Sequence, residues 1–237
     1  MAPPVKTISS RQNVWFKRVN DAYREHRDEI VIEGPKQVAD AIRAGWTPIA
    51  VIHRSSAPTR SSVDLAFSSE LFDAVADTRS PQNVIGLFER PRPRGPKTEA
   101  SIIVALDGIQ DPGNVGTIVR LAAAFDCAGV MLLPGCADAY SPKAIRASVG
   151  AVLSVPIVNA TEVSGDVYYA DSSGQITEPP ARGATLVFGS EGSGVSDAIR
   201  RAGKPIAIPM SDRVESLNVA AAAAILLSKS YEARRGR

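Results

Sequence analysis

The chain has 237 residues, 44% of them hydrophobic, enough for one large domain or two small ones with a true core. Two cysteines (Cys127, Cys136) and two histidines (His26, His53) exclude a disulfide framework and a Cys/His zinc cluster, and the expectation is reduced thiols in a cytoplasmic protein. The longest apolar run, 219–227, is too short to span a membrane, and the opening Met-Ala-Pro-Pro-Val-Lys lacks the apolar core of a signal peptide.

The net charge of +2 hides an asymmetry. Residues 1–97 carry 15 Lys and Arg against 11 Asp and Glu, a net of +4; residues 98–237 carry 12 against 14, a net of −2. A basic front is where a polyanion would be held. In this front half, helices are predicted over 12–23, 35–44 and 68–75, and strands over 30–33, 48–53 and 83–88. The pattern describes a small α/β domain, 1–90, without a catalytic cluster. A segment with three prolines, one glycine and four basic residues, centred on 91–98, reads as a semi-rigid linker. Arg90, Arg92, Arg94 and Lys97 there suit phosphate contacts.

Beyond it, 99–237 alternates strands with helices. Strands are expected at 101–106, 129–133, 155–158, 167–170, 185–188 and 204–208. Helices are expected at 114–125, 141–149, 196–202 and 218–231. Each strand is a continuous apolar run, which predicts a mostly parallel sheet covered by helices on both faces.

Three polar loops follow strands of that sheet. The first carries Asp107, Asp111, Pro112, Gly113 and Asn114, with Asn114 a candidate N-cap. Arg120 stands six residues later on an otherwise apolar face; it either pairs with Asp107 or Asp126, or reaches a phosphate or a reacting hydroxyl. The second loop, Gly189-Ser-Glu-Gly-Ser-Gly194, fits neither a dinucleotide fingerprint nor a phosphate loop, and Glu191 stands where a nucleophile elbow needs serine. A glutamate there disfavours a bare phosphate and favours a cationic or hydroxyl-bearing ligand. The third, Ile208 to Val219, leads into five alanines, with Ser216 or Asn218 as N-cap. All three lie at C-terminal ends of strands, where open α/β sheets form ligand crevices.

Four ordered blocks carry a resemblance. They are Asp111-Pro-Gly-Asn-Val-Gly-Thr-Ile-Val-Arg120, Ser141-Pro-Lys-Ala-Ile-Arg-Ala-Ser-Val-Gly150, Gly189-Ser-Glu-Gly-Ser-Gly194, and Ile208-Pro-Met with Ser216-Leu-Asn-Val219. Together they resemble the signature of the SpoU/TrmH family of RNA 2′-O-ribose methyltransferases, of the SPOUT class. The front half is similar to the ribosomal-protein-like RNA-binding domain often joined to that family, through Ile32-Glu-Gly-Pro-Lys and Ser80-Pro-Gln-Asn-Val.

The resemblance implies a trefoil-knotted α/β domain, a homodimer and S-adenosylmethionine as methyl donor, with no metal. It implies functional positions at Asn114, Arg120, Glu191, Ser216 and Asn218, and a donor pocket at Leu186, Gly189, Gly192, Ile208, Leu217 and Val219. The alanines at 220–224 would let the last helix pack closely behind the knot. The expected substrate is ribosomal RNA, with transfer RNA second; the rival classes are a non-catalytic RNA-binding protein of the same fold and an α/β enzyme acting on a small nucleotide.

Overall fold

A computed structural model describes residues 7–25, 28–55, 63–78, 80–96, 101–175 and 177–236. The chain divides into two compact units, residues 1–92 with 140–142, and residues 93–139 with 143–237. Residues 90–96 form no regular element, and Lys97 lies outside the described residues.

The first unit runs β1 (Thr7–Ile8), α1 (Val14–Glu25), β2 (Glu29–Glu33), α2 (Pro35–Arg43), β3 (Pro48–Arg54), β4 (Asp64–Phe67), α3 (Ser69–Val75) and β5 (Val84–Glu89). The sheet order is β1-β4-β3-β5-β2. β1, β4 and β3 are parallel, and β5 runs antiparallel to both β3 and β2. Two of these strands have no counterpart in the sequence-based elements. β1 is two residues long, and β4 opens on Asp64, a residue depleted in strands. Asp64 is nonetheless buried, and its Oδ1 lies 3.3 Å from His53 Nε2 on the neighbouring strand. Val31, Ile52, Ile85 and Leu87 from the sheet pack with Phe67, Leu71 and Phe72 into one core.

The second unit runs β6 (Ile103–Asp107), α4 (Pro112–Ala124), β7 (Gly129–Leu132), α5 (Pro142–Ser148), a 3-10 turn (Ala151–Leu153), β8 (Ile157–Asn159), β9 (Asp166–Ala170), β10 (Ala184–Gly189), α6 (Asp197–Ala202), β11 (Lys204–Ile206) and α7 (Val219–Arg235). The order is β11-β9-β10-β6-β7-β8, and every pair is parallel. Side chains alternate across the sheet. Ala105, Val187, Val167 and Tyr169 share a core with Ile199 of α6. Val104, Leu106, Leu186 and Phe188 occupy the alternate positions and are fully buried or nearly so.

Two boundaries differ from the sequence-based reading in ways that shape the site, and a third settles an open choice. α4 begins at Pro112, and its N-cap is Asp111 rather than Asn114: the Gly113 amide donates to Asp111 Oδ1 at 3.1 Å. Proline at the first helical position loses no hydrogen bond, so the aspartate before it takes the cap. β11 stops at Ile206 instead of Ile208, because its only sheet neighbour, β9, ends at Ala170. That frees Ile208 from the ladder. Of the two candidate caps for α7, Asn218 holds the position, with its Oδ1 accepting from the Ala220 and Ala221 amides at 3.0 and 3.3 Å.

Close helix packing is carried by Gly116 rather than by the alanine run alone. A Cβ on Gly116 would lie 2.2 Å from the Ala144 carbonyl oxygen, so α4 and α5 touch backbone to backbone there. In α7, Ala220 and Ala223 are buried while Ala221 is exposed.

Candidate functional site

The ends of β9, β10 and β11, the loops that follow them and the N-terminus of α7 line a cavity of about 210 Å³. Its walls include Phe188 and Gly189 from β10, Ile206 from β11, Ile208 and Leu217 from the loop after it, and Val219 and Ala222 from α7. These supply a mainly apolar slot. Glu191, Ser216 and Asp171 supply polar edges.

The glycine-rich loop after β10 owes its shape to contacts it makes with itself. Ser190 and Gly194 exchange backbone hydrogen bonds of 3.1 and 2.9 Å, and the Ser190 and Ser193 hydroxyls meet at 2.8 Å. A Cβ on Gly189 would lie 2.2 Å from the Gly194 carbonyl carbon, so the closed loop requires glycine there. Gly194 has φ +68°, the left-handed region that glycine adopts without strain. The far end of the loop is tied to β6: the Ser196 amide donates to Asp107 Oδ2 at 2.7 Å.

Three residues far apart in sequence meet beside this loop. Asn218 Oδ1 is committed to the α7 amides, so its Nδ2 is the free group, and it donates to Asn114 Oδ1 at 3.3 Å. Asn114 Nδ2 in turn donates to Glu191 Oε1. The capping bonds thus fix the direction of the whole chain: Asn218 donates to Asn114, which donates to Glu191. One carboxylate oxygen of Glu191 is held, and the carboxylate stays at the cavity wall.

The expected site residues other than Arg120 fall into three groups. Gly189, Ile208, Leu217 and Val219 line the cavity with Glu191 and Ser216. Asn114 and Asn218 join through hydrogen bonds to Glu191. Leu186 and Gly192 do not belong to the cavity. Leu186 is fully buried in β10, its backbone paired with Val104 and Tyr168 on either side, so it backs the sheet. Gly192, at the loop tip, faces a neighbouring polar depression that also touches Asp107, Asp111 and Arg200.

Arg120 lies about 9 Å further along α4 than Asn114, at 1.5 Å per residue. It is exposed and has no hydrogen bond or ion pair among the described residues. The two carboxylates that sequence offered as partners are engaged elsewhere, Asp107 by Ser196 and Asp126 by Arg234 at 3.1 Å. Asp111 is held by Lys143 at 2.6 Å, and that ammonium, helped by the Gly113 amide, keeps its carboxyl below the usual carboxylate range.

Sequence reasoning missed Asp171, which follows β9. The signal was present: β9 lies next to β10 in the sheet, so its C-terminal end must open onto the same crevice. A predicted strand order would have been needed to use it.

Residues 101–228 match the SpoU rRNA Methylase family. The chain is 27% identical to the 23S rRNA (guanosine(2553)-2′-O)-methyltransferase RlmP of Bacillus subtilis, covering 94% of this chain and 98% of that protein. It is 35% identical to mitochondrial rRNA methyltransferase 3 of Mus musculus over 59% of this chain, which spans only 37% of the mouse protein. Among solved structures, the AdoMet-bound rRNA methyltransferase from Sinorhizobium meliloti superimposes with a TM-score of 0.85 at 28% identity, covering 98% of this chain and 99% of that one. The match extends over the three loops that meet at the cavity and over more than half of the sequence, and the chain belongs to the SpoU rRNA methylase family.

Proposed function

We propose that this protein methylates a ribose 2′-hydroxyl of ribosomal RNA, using S-adenosylmethionine and acting as a cytoplasmic homodimer with a trefoil-knotted second unit. The observation that carries the reading is the Asn218–Asn114–Glu191 relay at the edge of an apolar cavity. The first unit, with its basic balance, serves as the RNA-binding domain, and 91–98 as its linker. The exposed face of α7 with Ala221 and Ile225 supports contact with a second copy.

The cavity's chemistry suits the donor. Phe188, Ile208, Leu217 and Val219 offer apolar surface to an adenine, beside backbone that β11 has released from its ladder. Glycine at 189 keeps that backbone uncovered. When bound, the donor supplies an activated methyl on a sulfonium, so the protein's task is orientation and removal of one proton. Glu191, with one oxygen held by Asn114, would use the other to orient the ribose hydroxyl and accept its proton, the hydroxyl oxygen gaining the methyl as the methyl–sulfur bond breaks and a neutral thioether leaves. Ser216 lines the same wall and orients ribose or donor. A guanidinium is no proton acceptor, so Arg120 acts as a cation: it holds the adjacent phosphate and lowers the hydroxyl pKa.

Three experiments test this. Mapping 2′-O-methyl groups in total RNA, with and without the gene, should show one loss in ribosomal RNA; a loss confined to transfer RNA would overturn the substrate, and no loss would overturn the activity. Asn114→Ala should lower turnover by about 10²-fold or more, the scale of a positioned proton-transfer group. Arg120→Lys should lose turnover or RNA affinity, and a variant normal in both would remove both roles given to Arg120.

A further inference from the structure

Asp171 and Arg200 have no part in the chemistry above, yet they occupy the two sides of the glycine loop. Asp171 lines the donor cavity. Arg200, in α6, lines the polar depression on the other side of the loop. Residues Ser190, Glu191 and Gly194 border both spaces.

The two side chains meet. Arg200 Nη1 donates to Asp171 Oδ2 at 3.0 Å. The other oxygen of Asp171 accepts from the Ser173 amide at 2.9 Å and the Ser173 hydroxyl at 2.6 Å. Both oxygens are therefore taken, and the carboxylate has one place to be. Its side chain is only 17% exposed, against 42% for Arg200, so the anchored end of the pair is the shielded one.

Arg200 also touches the loop. Its Nη2 lies 3.0 Å from where a Cβ on Gly194 would stand, so the guanidinium packs on the bare Gly194 backbone. The Ser190–Gly194 bonds set the internal shape of the loop, and the Asp107–Ser196 bond ties it to β6. The Arg200–Asp171 pair ties it to the end of β9, across the donor cavity.

We propose that Asp171 and Arg200 form a brace that fixes the pose of the loop 189–194, and through it the pose of Glu191. Both are positioning residues for the methyl transfer, and the brace links the donor cavity to the polar depression beside it. The assignment rests on the proposed function. It also gives the pair an asymmetric effect on ligand binding. Removing Arg200 leaves an unpaired carboxylate in the wall of a cavity meant for a cationic donor, so turnover falls while donor affinity holds or improves. A general loss of folding would lower both.

Arg200→Met, Asp171→Asn and the double variant test the brace, with turnover on ribosomal RNA, calorimetry with S-adenosylmethionine, and amide exchange over 189–194 as readouts. Each single variant should lose about tenfold in kcat, the scale of a small misplacement of a reacting group. Donor affinity in Arg200→Met should not weaken by more than about twofold, and the double variant should match the singles within about twofold, because one shared contact is lost in all three. The Ser190 and Gly194 amides should exchange about tenfold faster in each variant, as a locally opened loop requires. Unchanged kcat, losses that multiply in the double variant, or unchanged exchange would each overturn the brace. Arg200→Lys keeps the charge but loses the planar contact on Gly194; wild-type kcat and exchange in that variant would overturn it as well. If the wild-type protein methylates no ribosomal RNA, the proposed function fails instead, and calorimetry with amide exchange still decides the brace.

Discussion

Asn218 does two jobs with one side chain. Its oxygen caps a 17-residue helix, and its nitrogen starts the relay to Glu191. Asn218→Ala should therefore cost about 1 kcal/mol of stability as a lost cap, measured by denaturant unfolding, and a separate, larger loss of turnover. A stability loss alone would leave the relay without a role. Asp171 is likewise tied to conditions. Ser173 chiefly, then Arg200, hold its pKa below the ordinary value. A carboxyl lowered in the folded state stabilises the fold above its unfolded pKa, about 3.9, and that contribution is lost as pH falls through the folded value. Wild-type Tm should thus fall more steeply below about pH 4 than that of Asp171→Asn, taking the unfolded carboxyl pKa as the upper edge. Parallel curves would show that the pair contributes no stability.

At the scale of elements, α4 packs on α5 backbone to backbone. Gly116→Ala would drive a methyl into the Ala144 carbonyl, where neither backbone can yield without shifting its helix. The expected cost is about 1–3 kcal/mol, typical of overpacking; an unchanged Tm would mean the helices are not held so closely. Much of this layer was legible in the sequence. Continuous apolar runs gave the parallel sheet, and loops at strand ends gave the crevice. The first turn of α4 carries its own signal: Asp111-Pro112 is a cap followed by a first-position proline, and Pro142 likewise opens α5. β4 was hidden for a physical reason, since it begins with a buried aspartate whose partner, His53, lies on another strand. The relay was also hidden. Asn114, Glu191 and Asn218 were each singled out by resemblance, but which atom faces which depends on packing of three loops, and no spacing in one chain encodes it. Leu186 lies outside the cavity wall because it sits two residues deeper in β10 than Phe188, on the same face but away from the strand end where the crevice opens.

At the scale of the whole molecule, charge separates the two units. The basic front and the linker arginines Arg92 and Arg94 offer phosphate contacts, and such binding weakens as salt rises because counterions are released. Replacing both arginines by glutamine should reduce the slope of log affinity against log salt by about 1.4, at roughly 0.7 per single-strand phosphate contact. An unaltered slope would place RNA elsewhere. The sheet order carries a different consequence, for synthesis. β10 sits between β6 and β9, and β9 pairs only with β10 and β11, both of which follow it in the chain. During translation β6, β7 and β8 can associate early, whereas β9 waits for strands still to be made. The core of this unit cannot close until β10 and β11 have left the ribosome, and the cavity, lined by residues between Ala170 and Ala222, takes shape only after them.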